Sequence, residues 1–115
     1  MSYLLLILEP PGQREARSPA EGEAVYAQMQ AFAAGLQARG VLQSVNALKL
    51  ARTRVTRRGA ELQALDGPFT ETKELIGGYF LLDGVTCEQA LAIAADCPAA
   101  AYATVEVRET GTCYE

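Results

Sequence analysis

The chain has 115 residues, of which 50% are apolar and 21% charged, and a formal charge of −4. That length suits one domain, 1–115, and the acidic balance argues against nucleic acid as a partner. Histidine is absent, which removes the usual neutral-pH base and the commonest metal ligand, so acid–base work falls to carboxylates, Lys, Tyr or Cys.

In chain order, Tyr3 to Leu8 is a continuous apolar run of strand length that runs into Glu9-Pro10. The lack of alternation predicts a strand covered on both faces. It is too short for a membrane span, which needs roughly 20 apolar residues, and it lacks the basic leader of a secretion signal. Residues 10–18 form a polar loop carrying Arg14 and Arg17.

Ser18-Pro19-Ala20-Glu21 opens a helix: Ser18 as N-cap, Pro19 at the first helical position and Glu21 completing a capping box. Val25, Met29, Phe32, Ala33 and Leu36 follow at helical spacing, and Arg39-Gly40 supplies the C-terminal end. Val41 to Leu50 reads as a strand. Thr53–Thr56 and Ala60–Leu65 read as a hairpin around Arg57-Arg58-Gly59, with a basic patch of Arg52, Arg54, Arg57 and Arg58. Long charged side chains protect exposed strands, and no recognition helix accompanies them.

Asp66-Gly67-Pro68 is turn chemistry, with Phe69 as an apolar anchor. Thr70 is placed to cap a single helical turn with Glu71 in it. Ile76 to Asp83 is the next strand, Tyr79 and Leu81 opposing Phe80 and Leu82. Tyr79 is expected to pack in the core, and Gly77-Gly78 to permit close backbone packing. Thr86 and Gln89 cap a second helix whose apolar face is Ala90, Leu91, Ile93, Ala94 and Cys97, and Pro98 stops it. Ala103 to Glu109 is the last strand. Cys87 and Cys97 are expected to be buried and Cys113 to be a tail thiol. The three show no metal-site spacing, and reduced thiols suit a cytoplasmic protein.

The order β-α-β, hairpin, β-α-β predicts an α+β domain of ferredoxin-like split βαβ type with an inserted β-hairpin. Two helices cover only one face of such a sheet. Each apolar side chain left in water on the other face forgoes about 1.5–3 kcal/mol, so a sheet-on-sheet homodimer is expected.

The run Asp66-Gly67-Pro68-Phe69-Thr70-Glu71-Thr72-Lys73-Glu74, continuing to Gly77-Gly78-Tyr79, resembles the signature of the DGPF proteins, a branch of the YCII-related family. The match runs from Asp66 to Asp83 and extends over nearly the whole chain. The resemblance implies a ferredoxin-like domain that pairs into a dimeric α/β barrel, and implies no particular reaction. In the wider family a His–Asp pair suggests catalysis, which this chain, lacking His, does not carry.

Asp66 is the candidate catalytic carboxylate, held by Gly67, Pro68 and Phe69 at the mouth of a cleft between sheet and helices. A turn aspartate bonding the N–H groups near Phe69 is the plainer account, and the two roles are compatible. Glu71, Lys73, Arg14 and Arg17 are the candidate contacts for a small anionic ligand, although a charged first turn is ordinarily solvated. No cofactor and no metal is expected. Two functions compete: a small-molecule enzyme, as in dimeric α/β barrels that include isomerases and cofactor-free monooxygenases, and a ligand-sensing module. The latter follows from similar domains fused to sigma-factor regions.

Overall fold

A computed structural model of the chain describes all residues except Pro68, Thr70 and Glu71. The expected roles of Pro68 in the turn, Thr70 as a cap and Glu71 as a ligand contact therefore lie outside the described residues.

The elements run β1 (Ser2–Glu9), α1 (Pro19–Ala38), β2 (Leu42–Ala47), β3 (Thr53–Arg58), β4 (Glu61–Asp66), β5 (Leu75–Asp83), α2 (Cys87–Asp96), a 3-10 turn (Pro98–Ala101) and β6 (Thr104–Glu109). The main sheet has the order β2-β5-β1-β6 and is antiparallel throughout. Thus β5 lies between β1 and β2, and β1 lies between β5 and β6: two split β-α-β units interlocked. The expected α+β class and hairpin insertion hold. The hairpin is a separate two-stranded sheet in which every strand residue is exposed.

Both helices start where local chemistry dictates. Ser18 Oγ accepts from the Glu21 N–H at 3.2 Å while Glu21 Oε1 accepts from the Ser18 N–H at 3.0 Å. Thr86 and Gln89 repeat this capping box at 3.1 and 2.8 Å. Arg39 ends α1 and Gly40 follows at φ +74°, a conformation glycine adopts without the Cβ penalty.

The core lies on one face of the sheet. In β1, Tyr3, Leu5, Ile7 and Glu9 are buried and the alternate residues half-buried. Phe80 and Leu82 of β5 join them, and α2 contributes Ala90, Ile93 and Ala94. Phe32 of α1 meets Phe80 edge-on, with ring centroids 5.4 Å apart. Leu4, Leu6, Leu8, Tyr79 and Leu81 share the opposite, half-buried face. Three expectations are corrected here. Tyr79 lies on that second face, because strand alternation sends it opposite to the buried Phe80 and Leu82, and its hydroxyl meets Ser44 and Asn46 there. Cys87, at the exposed start of α2, is solvent-accessible, although Cys97 is buried and Cys113 exposed as expected. Leu91 is exposed too.

Candidate functional site

Two features of the sequence open a space between α1 and the sheet. Leu36, near the C-terminal end of α1, is that helix's one fully buried residue. The N-terminal half of α1 therefore stands over the sheet without filling the gap. On the sheet side, the residue after Ile7 on the core face is not apolar but Glu9. Between them lies a cavity of about 640 Å³, walled by Val25, Tyr26, Met29 and Ala33 of α1 and by Ile7, Val45 and Phe80 of the sheet. Glu9, Arg14, Arg17, Gly77 and Tyr102 also line it.

Glu9 is 8% exposed. A carboxylate so placed needs compensation, and Arg14 supplies it as a fork. Nε donates to Glu9 Oε1 at 2.8 Å and Nη2 to Oε2 at 3.0 Å. The same guanidinium donates to the carbonyls of Gly77 at 3.0 Å and Leu48 at 2.6 Å. The loop after β1, the segment after β2 and the start of β5 are thereby tied together. Pairing of β1 with β5 slips by one residue between Ile7 and Leu8, leaving Gly77 as the extra residue of a bulge. Its missing side chain leaves the space that the Glu9 carboxylate occupies.

Arg17 is arranged differently. Its guanidinium carbon lies 4.9 Å from the centre of the Tyr102 ring, a cation–π geometry. Among the described residues the ion pair within 4 Å is Arg14–Glu9 and does not include Arg17. Glu21 feels the Arg17 charge, but its carboxyl is held below the ordinary range first by its capping bonds to Ser18. Burial pushes the Tyr102 phenol up, against the opposing pull of Arg17.

On the other sheet face, the Tyr79 hydroxyl receives the Asn46 amide at 2.8 Å and lies 3.1 Å from Ser44 Oγ. The Ser44 bond, then the Asn46 bond, lower the Tyr79 phenol.

Of the residues singled out from sequence, Arg14 and Arg17 both line the cavity. Asp66 does not. It ends β4, exposed, where its Oδ1 accepts from the Thr53 hydroxyl across the hairpin. The Gly67 N–H donates to the Arg52 carbonyl at 2.7 Å. The aspartate therefore closes the base of the hairpin and does not stand at the mouth of the sheet–helix cleft. Phe69 is flanked by the guanidiniums of Arg52 and Arg54, at 5.4 and 3.8 Å from its ring centre. Lys73 is exposed in a shallow depression with Glu74, Leu8 and Tyr102. Asp66 and Lys73 are thus not brought together with the two arginines.

Glu9 and Tyr102 escaped the sequence reading. The signal for Glu9 was present: period-two counting from Tyr3 through Leu5 and Ile7 puts residue 9 on the core face. A buried acid then calls for a nearby base, and Arg14 is five positions on.

The YCII-related domain model matches residues 1–110. The chain belongs to the YCII-related family. Among solved structures it is similar to the 5-chloro-2-hydroxyhydroquinone dehydrochlorinase of Burkholderia phenoliruptrix AC1100, in complex with 2,5-dihydroxybenzoquinone. The TM-score is 0.56 at 16% identity, covering 99% of this chain and 97% of that one. That likeness concerns the fold. Comparison with curated proteins gives no match. No described helix is long and apolar enough to cross a membrane.

Proposed function

We propose that this member of the YCII-related family, on the DGPF branch, is a small-molecule enzyme whose site is the cavity between α1 and the sheet. The observation that carries this reading is Glu9: a carboxylate held nearly dry in a cavity wall by a two-pronged arginine. Structural economy favours an apolar residue at such a position, so a buried acid there supports a functional role. Each Glu9 oxygen spends one acceptor position on Arg14 and keeps another for a ligand hydroxyl or its proton. The α+β neighbour that holds a dihydroxybenzoquinone supports a ligand of that scale. In this reading Asp66 has a structural role at the hairpin base, and Lys73 is a surface residue.

The protein acts as a homodimer in a reducing, cytoplasmic setting. Leu4, Leu6, Leu8 and Leu81 on the uncovered face of the sheet support an isologous sheet-on-sheet contact of the ferredoxin-like barrel kind.

The test is native mass spectrometry of the purified protein for co-purifying metabolites, followed by turnover assays on whatever is retained. Two variants accompany it: Glu9→Gln, and Ala34→Trp, which places bulk in the cavity from an exposed position on α1. Retention by wild type and loss in Ala34→Trp is expected, with turnover abolished in Glu9→Gln. Retention undiminished in Ala34→Trp would refute the site. Retention without turnover would favour the ligand-sensing module.

A further inference from the structure

The charges around the cavity distinguish two arginines that sequence alone treats alike. All the donors that Arg14 spends are spent on the protein: two on Glu9, and further ones on the Gly77 and Leu48 carbonyls. Its positive charge is cancelled at 2.8 Å by the Glu9 carboxylate. A ligand anion approaching Arg14 meets a neutral pair and an acidic oxygen. Arg17 lines the same cavity, rests on the face of Tyr102, and shares no ion pair within 4 Å among the described residues. A guanidinium stacked on an aromatic ring keeps its in-plane N–H donors directed outward, available to a carboxylate or phenolate. Val25, Met29, Ala33 and Phe80 supply hydrocarbon to the wall, and Tyr26, Gln30, Gln37 and Asn46 add polar groups without formal charge, which rewards an apolar body and gives a second charge no opposite charge.

We infer that the ligand of this cavity is a monoanion with an apolar body, its single negative group bound by Arg17 over Tyr102, while Arg14 contacts no ligand charge and serves to hold Glu9. This rests on the cavity being the site. Dianions such as phosphate monoesters or vicinal dicarboxylates are disfavoured, because among the described residues lining the cavity Arg17 is the cation without an ion pair within 4 Å, and Glu9 repels the second charge.

The probes are benzoate, hexanoate, the neutral benzamide and the dianionic phthalate, measured by ligand-observed NMR and calorimetry on the full-length protein. Benzoate or hexanoate should bind more tightly than benzamide by about tenfold, the worth of one charge-assisted contact, and more tightly than phthalate. Arg17→Gln should bring benzoate down to the level of benzamide while leaving benzamide unchanged. Arg17→Lys should restore part of the difference. Equal binding of benzoate and benzamide by wild type, a preference that survives Arg17→Gln, tighter binding of phthalate, or no binding of either monoanion would each overturn the inference. Ala34→Trp separates the two levels. If benzoate and benzamide bind Ala34→Trp as they bind wild type, the cavity assignment fails. If Ala34→Trp abolishes binding but Arg17→Gln does not alter the charge preference, the site stands and the ligand class falls.

Discussion

Gly77 lies against the carboxylate of Glu9 so closely that a side chain at position 77 would occupy the same space. Glu9 cannot retreat, because both of its oxygens are fixed by Arg14, and Arg14 is fixed in turn by the Gly77 carbonyl at 3.0 Å. Gly77→Ala should therefore destabilise the protein by about 1–3 kcal/mol, the range for forced overpacking. Glu9→Ala alone strands a guanidinium, but in combination with Gly77→Ala it removes the clash. Urea unfolding of the four species should show the double variant well above the sum of the singles. Strict additivity would mean that the two residues do not compete for space.

The capping boxes give a second prediction. Ser18→Ala and Thr86→Ala should each cost about 1 kcal/mol, and the two should add, since they cap different helices. The Glu21 half of the α1 box should also depend on pH. Its bonds hold the Glu21 carboxyl below the ordinary value. That depressed pKa makes the contribution fully present above the usual carboxylate range, and lost as pH falls through the lower, folded value. Thermal melts of Glu21→Gln against wild type should converge in acid and diverge toward neutrality.

Five tyrosines permit a direct reading of environment by alkaline absorbance titration. Tyr79 should ionise first, because Ser44 and Asn46 stabilise its phenolate. Tyr3 and Tyr102 should ionise last, both raised chiefly by burial. The signs for stability are opposite. The raised pair contributes stability that is complete below the unfolded value near 10 and lost as pH climbs through the folded values. Tyr79 contributes above that value and loses it as pH falls through its own. Tyr79→Phe should delete the earliest step of the titration. Survival of that step would place the lowered phenol elsewhere.

Asp66→Asn retains an acceptor for the Thr53 hydroxyl, so stability should change by well under about 1 kcal/mol. Ligand affinity should be unchanged, because Asp66 is absent from the cavity wall. Lost affinity at unchanged melting temperature would return Asp66 to the site.

Light scattering should give a mass near twice 12.3 kDa. Leu6→Lys, at the middle of the uncovered sheet face, should shift it toward the monomer. A monomeric wild type at micromolar concentration would remove the dimer.

Much of this fold is legible in the sequence because its signals are local. Ser18 with Glu21 and Thr86 with Gln89 act over three positions, and the helices begin where those residues say. The hairpin is recoverable for the same reason, Gly59 providing the turn at φ +61°. What is not legible depends on lateral neighbours. Tyr79 looks like core until its strand is set beside Ser44 and Asn46. Asp66 looks like a cleft residue because the stretch around it is dense in turn chemistry, yet it is fixed across the hairpin by Thr53. The two arginines of the 10–18 loop are equivalent as letters. Only the fold gives one of them a carboxylate and the other an aromatic ring.

The central position of β1 bears on how the chain is made. Its neighbours in the sheet begin at Leu75 and Thr104, so β1 is made well before either strand that hydrogen-bonds its edges. During synthesis the run from Tyr3 to Leu8 has no strand partner until β5 has been made. Such non-local pairing slows folding and leaves an apolar edge open to association. The helix α1, with a capping box at its N-terminus, is able to form before the sheet exists.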